Sequence, residues 1–350
     1  LAGTEPILAL APMQDITDHA FWGIMARYGG ADLFVTEYFR VHAVSTLNRG
    51  ILKSITENPT GRPAIAQLMG NDIPSLVRTA RELQEYPIVA VDLNLGCPAP
   101  VVYKKRAGGG LLREPNQIDA ILGALREAIK IRFTVKTRIG FDSPAEFEPL
   151  LAIYARHSLD LLTVHGRVVR QGNDGPVNYE SIGRAVAAVP CPVLANGDIN
   201  SVPEAEAVLA RTAAKGLMIG RGAIRNPWLF AQIRARHRGE PVFQPTGRHL
   251  LEHIHALYEA VRPPDCRERA LIEGMKKYLN YIGAGVDSAG RFLYHIRRVT
   301  TQADLFRVCG EFLDHDEPMA LEPFPEKDKS PPRRHSLILP RSNPGGGTTL

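Results

Sequence analysis

Eight short apolar runs, each about the length of a strand, recur along the first two-thirds of the chain. They cover residues 7–11, 33–36, 64–68, 89–93, 133–137, 161–164, 193–195 and 216–219. Helical patterns separate most of them, as at 115–130 and 144–156. Ser201-Val-Pro-Glu204 reads as a helix start, with serine as cap and proline in the first turn. Strand–helix alternation repeated eight times predicts a parallel (β/α)8 TIM barrel in the α/β class. The competing arrangement is an open doubly wound sheet. That sheet opens with G-x-G-x-x-G after its first strand, where this chain carries Ala11-Pro-Met-Gln14. The barrel is the better reading.

Beyond about residue 226 the pattern becomes purely helical. Stretches 252–261, 268–282 and 290–300 carry apolar residues at helical spacing, broken by Pro263-Pro264 and by the glycines of 283–285. The expected organisation is a barrel over 1–236, a small helical bundle over 245–314, and a disordered tail over 315–350 rich in proline, glycine and charge.

Bulk properties narrow the class. Hydrophobic content of 44% and charged content of 23% suit a globular enzyme. No apolar run is long enough to span a bilayer, and residues 1–6 lack the basic and apolar regions of a signal peptide. Four dispersed cysteines suggest neither disulfides nor a zinc site, which fits a reducing cytoplasm. A net charge of +5 and an isoelectric point near 9.0 lean mildly toward polyanions.

In a barrel, side chains at the C-terminal strand ends face the active site. Here those ends carry Met13, Glu37, Gln67, Asn94 with Cys97, Lys136 with Arg138, His165 with Arg167, Asn196 with Asp198, and Arg221. Asn196-Gly-Asp198 and Gly220-Arg-Gly222 follow the seventh and eighth runs, the recurrent phosphate-binding loops of this fold. Each glycine alone also reads as a plain turn. Together, with Arg221 as a charged donor, they point to an anionic tail. A flavin head suits the rest: Gln67 pairs with the pyrimidine edge, and Lys136 stabilises negative charge on the reduced ring. His165 either binds phosphate, flanks the ring or serves as a structural hydrogen-bonder.

The run Val91-Asp-Leu-Asn-Leu-Gly-Cys-Pro98 ends a buried strand in a thiol, and Pro98 prevents regular structure from continuing. A cysteine at such a loop suits chemistry, although a free cysteine is also a common small core residue. Downstream, Lys104-Lys-Arg106 and Gly108-Gly-Gly110 read as a mobile basic flap over Cys97, or as an ordinary solvated loop.

Ala11-Pro-Met13, Gln67, the 92–98 run, Lys136-Thr-Arg138, His165-Gly-Arg167, Asn196-Gly-Asp198 and Gly220-Arg-Gly222 together resemble the tRNA-dihydrouridine synthase family, in order from about residue 8 to 313. The resemblance implies FMN held by Pro12, Met13, Gln14, Gln67, Lys136, His165, Asn196, Gly197, Asp198, Gly220 and Arg221. It implies Cys97 as proton donor in the reduction of the uridine C5–C6 bond in tRNA, with NADPH as electron source. Asn94, Arg138, Lys104, Lys105 and Arg106 are the expected substrate contacts. One departure stands out: Gln171-Gly-Asn-Asp-Gly-Pro176 lacks the tyrosine often found in that loop. A uridine in folded tRNA must be extruded to react. Arg225, Arg234, Arg236, Arg238, Lys276, Lys277, Arg291, Arg297 and Arg298 are candidates to hold the remaining RNA through phosphate. The alternatives are a small-molecule FMN barrel oxidoreductase of the dihydroorotate dehydrogenase type and a non-catalytic RNA-binding barrel.

Overall fold

A computed structural model of the chain describes residues 5–263 and 265–324. Eight parallel strands close a barrel: β1 (Ile7–Leu10), β2 (Leu33–Val35), β3 (Ala64–Met69), β4 (Ala90–Leu95), β5 (Arg132–Arg138), β6 (Leu161–His165), β7 (Val193–Asn196) and β8 (Gly216–Ile219). Closure runs through β1 against β8, with Ile7 opposite Gly216, and through β2 against β3, with Phe34 opposite Ala64. Glycine is required at 216, since a Cβ there would lie 2.0 Å from the Ile7 carbonyl oxygen. A two-residue strand, Phe39–Arg40, adds to β3 with Phe39 opposite Leu68 and extends the rim.

Strand alternation sorts the side chains. Leu8, Leu10, Val91, Leu93, Phe133 and Val135 join the large core between sheet and helices. Ile7, Ala9, Val35, Ile65, Leu161 and Leu194 fill the barrel interior as a separate apolar plug. Further along, positions of the same phase turn polar: Gln67 on β3, Asp92 and Asn94 on β4, Lys136 and Arg138 on β5, His165 on β6 and Asn196 on β7. The apolar plug thus becomes a floor on which polar groups stand.

The Ser201 cap is present, its hydroxyl accepting from the Glu204 N–H at the start of Val202–Thr212. Helices Gly247–Ala260, Glu268–Ile282, Arg291–Ile296 and Gln302–Leu313 form the helical unit. The sequence pattern found three of these; the third ends at Ile296, short of the expected 300, and the fourth, Gln302–Leu313, was not expected. The unit shares the barrel's hydrophobic core, in which Phe21 stacks on Tyr278 with ring centroids 5.6 Å apart. Tyr278 also donates its hydroxyl to the Ile16 carbonyl at 3.0 Å.

The expected tail begins ten residues too early. Residues 315–324 pack on the helical unit: Thr246 bridges Pro318, the Met319 N–H donates to the Pro245 carbonyl, and Met319 and Leu321 are buried. Alternating apolar residues give this segment something to bury. The rest of the expected tail, 325–350, lies outside the described residues. Among the described residues no helix is long and apolar enough to cross a membrane.

Candidate active site

A cavity of about 430 Å³ opens at the C-terminal end of the barrel, within the size range of small-molecule and cofactor sites. Every cofactor-binding residue expected from the sequence lines it except Gln67, and so do Cys97, Asn94 and Arg138.

Gln67 instead is fully buried within the polar layer and does not line the cavity. Its Nε2 donates to Asp92 Oδ2 at 2.8 Å, and its Oε1 accepts from Asn94 Nδ2 at 2.8 Å. Asp92 also accepts from Thr134 Oγ1 at 2.6 Å. Burial raises the Asp92 carboxyl to about 6 against these hydrogen bonds. The network ends in Asn94, whose Oδ1 accepts from the Gly96 N–H at 3.0 Å and the Cys97 N–H at 2.9 Å. Gln67 and Asp92 therefore fix the side chain that fixes the cysteine loop. The Asp92–Thr134–Gln67 layer had a legible signal, polar residues at alternate positions in otherwise apolar strands, that the sequence reading passed over.

Cys97 is only partly exposed, and burial pushes its thiol up despite the nearby Arg138, Lys136 and Arg40. The three glycines expected to hinge a flap serve close packing instead. They are buried in a short 3₁₀ segment, Gly108–Arg113. A Cβ on Gly109 would meet Val169 Cγ2 at 2.6 Å and the Cys97 carbonyl at 2.8 Å, and one on Gly110 would meet the Tyr103 carbonyl at 2.5 Å. Backbone approach under the thiol, not mobility, demands glycine. Lys104, Lys105 and Arg106 are exposed just past a one-turn helix, Pro100–Tyr103, and do not reach the cavity wall.

On the opposite wall the loops after β6, β7 and β8 converge. Lys136 Nζ donates to Asn196 Oδ1 at 3.1 Å, and Asn196 Nδ2 to the Met218 carbonyl at 2.8 Å. Burial, with Arg138 adding repulsion, lowers Lys136 to about 8. Asp198 pairs with both Arg167 and Arg221, leaving a net positive corner beside Gly197 and Gly220. Glycine at 197 is needed for its φ of +131°. His165 approaches Arg167 Nη1 at 3.4 Å and is held well below its ordinary pKa by burial and four neighbouring cations, so it stays neutral. Arg138 commits four of its five N–H groups to Gly96, Val168, Gly172 and Asn173, stapling the β4 loop to the β6 loop. Arg167, Tyr38 and Tyr281 carried no role in the sequence reading; Arg167 builds the positive corner, and the two tyrosines form part of the wall.

The donor set fits a flavin mononucleotide: glycine-bordered loops with two guanidinium groups for a phosphate, and Lys136 for a ring that gains negative charge.

Most candidates for RNA contact are structural. Arg225 is buried against Asn200 and the Tyr281 carbonyl, and Arg234 is held by Asp32 and the carbonyls of Gly29 and Gly30. Arg236 pairs with Glu206, Arg238 with Glu5 and Lys276 with Glu273. Tertiary packing brought Asp32, Glu206 and Glu5 beside Arg234, Arg236 and Arg238, which linear charge counting could not see.

The family model described as dihydrouridine synthase matches residues 9–313. Over 313 residues the chain is 29% identical to the tRNA-dihydrouridine(16) synthase of Neisseria meningitidis serogroup A, covering 87% of this chain and 94% of that protein. It is 34% identical to tRNA-dihydrouridine synthase B of Pseudomonas putida over 72% of this chain and 76% of that one. Among solved structures, a 2-naphthoyl-CoA reductase complex superposes with a TM-score of 0.51 at 12% identity, over 67% of this chain and 50% of that one, a likeness of fold.

Proposed function

The chain belongs to the dihydrouridine synthase family, and from that premise we propose that it reduces the C5–C6 bond of specific uridines in tRNA, using FMN and electrons from NADPH. The observation that carries this reading is one cavity with a thiol on one wall and a phosphate-type corner on the other. Bound FMN, once reduced, supplies hydride to uracil C6. The remaining steps belong to the protein. Cys97 gives its proton to C5, a task suited to a thiol that burial keeps protonated. Asn94, whose Oδ1 accepts from two backbone N–H groups, holds that thiol in register. Pro12, Met13 and Gln14 border the cofactor; Asn196, Gly197, Asp198, Gly220 and Arg221 take its phosphate end, with neutral His165 beside them. Gln67 offers only its remaining lone pair and N–H from below.

Arg138, with one free N–H, and Asn94 meet the base, while Lys104, Lys105 and Arg106 meet phosphates outside the cavity. The helical unit of 245–314 is the tRNA-binding domain of this reading. Tyr281, from its Glu268–Ile282 helix, already forms part of the cavity wall. A small-molecule oxidoreductase has no use for that arrangement.

The decisive experiment follows flavin absorbance and dihydrouridine content of unmodified tRNA. Purified protein is expected to bind FMN, accept electrons from NADPH and return them to tRNA. Cys97→Ala is expected to keep the first two steps and slow the third by about 10²–10⁴-fold, the usual contribution of a general acid. A protein that binds no FMN, or a Cys97→Ala variant with wild-type single-turnover reduction of tRNA, overturns the assignment.

A further inference from the structure

Beside the main cavity lies a second one of about 550 Å³, and Gln14 and Tyr38 belong to the walls of both. Its remaining wall is the loop that follows the short strand Phe39–Arg40, including Arg40, His42, Ser45, Thr46 and Asn48. Pairing with β3 fixes the start of this loop: Arg40 lies opposite Met69, and the Val41 N–H donates to the Met69 carbonyl at 2.8 Å. Arg78 fixes its middle, donating to the carbonyls of Ala43, His42 and Ser45 at 2.7, 3.1 and 3.2 Å. Asn48 fixes its end by capping helix Arg49–Thr56. A loop held at three points is a preformed surface.

Its charge is one-sided. Residues 40–49 contain Arg40, His42 and Arg49 and no acid. Arg40 and Arg49 have no ion pair among the described residues, unlike Arg234, Arg236 and Arg238. Arg40 shares the cavity wall with Tyr38. Asp15 is the one carboxylate on the wall of this cavity, against Arg40 and His42 on the same wall. The loop tip, Val44, is 85% exposed, an apolar surface suited to the face of an unstacked base.

We propose that this second cavity seats the nucleotide adjacent to the uridine being reduced, with Arg40 and His42 meeting its phosphate and Tyr38 as the wall between the two bases. The proposal rests on the tRNA reading above. Extruding one base pulls its neighbours out of their stack, and the strand must then leave the main cavity along some surface. The corner around Asp198 is built for a cofactor phosphate, whereas the Tyr38 side leads directly into a cationic, hydroxyl-bearing space of nucleotide size. Tyr38 presents an aromatic ring at that junction, the usual partner of an unstacked base.

The test measures equilibrium binding of an unmodified tRNA transcript over a salt series, with wild-type, Arg40→Ala, Arg40→Lys and Tyr38→Phe proteins. Cofactor reduction by NADPH and thermal unfolding serve as controls of folding. Arg40→Ala is expected to weaken binding about tenfold and to lower the slope of log affinity against log salt by about 0.7–0.9, the loss of one phosphate contact. Arg40→Lys restores most of the slope, because it retains the charge. Tyr38→Phe, which removes the hydroxyl but keeps the ring, leaves the slope unchanged. An unaltered slope for Arg40→Ala overturns the proposal. So does an equal loss in Tyr38→Phe, which would make Arg40 a support for Tyr38 only. Wild-type protein that binds no tRNA removes the functional reading itself, and is seen before any variant is compared.

Discussion

Asn94→Ala separates the positioning of Cys97 from its chemistry. The side chain makes three hydrogen bonds: two accepted from the N–H groups of Gly96 and Cys97, and one donated to Gln67. Truncation leaves a buried N–H on Gly96, a partly buried N–H on Cys97 and a buried amide oxygen on Gln67. An unmet buried polar group costs about 1–3 kcal/mol. Three such groups would set an upper limit of about 9 kcal/mol, but the vacated volume borders the cavity and admits water. Water then meets the Cys97 N–H and part of the Gln67 oxygen. The expected loss is about 2–4 kcal/mol, mostly from Gly96.

The catalytic loss arises separately. A loop released at Asn94 is still held by Arg138 at the Gly96 carbonyl and by the Gly109 N–H at the Cys97 carbonyl. The thiol therefore drifts rather than detaches, and a displacement of about 1 Å costs about 10²-fold in a proton transfer. The assay pairs denaturant unfolding with single-turnover oxidation of the reduced cofactor by tRNA. Cofactor affinity is expected to stay close to that of the wild type, since the phosphate corner is on the opposite wall. A variant that unfolds like wild type and turns over within threefold of it would refute the account of Asn94 as the holder of the loop.

Arg221→Ala leaves Asp198 held by Arg167 and is expected to weaken FMN binding by about 1–3 kcal/mol, read by titration of the apoprotein; unaltered affinity would move the phosphate elsewhere. Gly109→Ala sets a methyl against Val169 and the Cys97 carbonyl at once, so it is expected to cost about 1–3 kcal/mol of stability and to lower tRNA reduction more than cofactor binding. His253 is fully buried with neither ring nitrogen hydrogen-bonded, and burial lowers its pKa to about 3. Its unfolded form takes up a proton that the folded form refuses, so its contribution is intact above pH 6.5 and is lost at about 1.4 kcal/mol per unit as pH falls toward 3. His253→Phe is expected to remove that slope from the difference in unfolding free energy between pH 6.5 and 4; equal slopes in the two proteins contradict it.

The barrel was legible because its strands are buried on both faces, which leaves short apolar runs recurring at regular intervals between helical patterns. The run at 89–93 became Ala90–Leu95, and 133–137 became Arg132–Arg138. Phase along each strand was the less obvious message. Ala90, Asp92 and Asn94 share one face, as do Thr134, Lys136 and Arg138, and reading them at period two reveals the buried polar layer. Gln67 was expected at the flavin for its residue type and strand-end position, but its two ends satisfy Asp92 and Asn94. The helix Gln302–Leu313 was announced by Thr301 as cap, with Asp304 three residues on. What the sequence could not supply was pairing across space. Arg234 reads as a phosphate ligand until Asp32 and two carbonyls meet it, and glycines 108–110 read as a hinge until Tyr103 and Val169 press against them.

Charge is distributed across the cavity in a way that separates two demands on its walls. Lys136, Arg138, Arg167 and Arg221 all stand on the β5 to β8 side, and burial together with their field holds His165 neutral. Arg138, Lys136 and, from the other side, Arg40 also act on Cys97 and by themselves would favour a thiolate, which cannot donate a proton. Burial is the larger effect on the thiol, and its pKa rises. The cavity thereby raises the thiol pKa on a wall that Arg138 and Lys136 also charge. The device that makes this possible is the close packing under the cysteine: Gly108 and Gly109 bring backbone against it, excluding the water that would otherwise stabilise the charged form. The glycines expected to let the loop move instead pack against the thiol and add to the burial that raises its pKa.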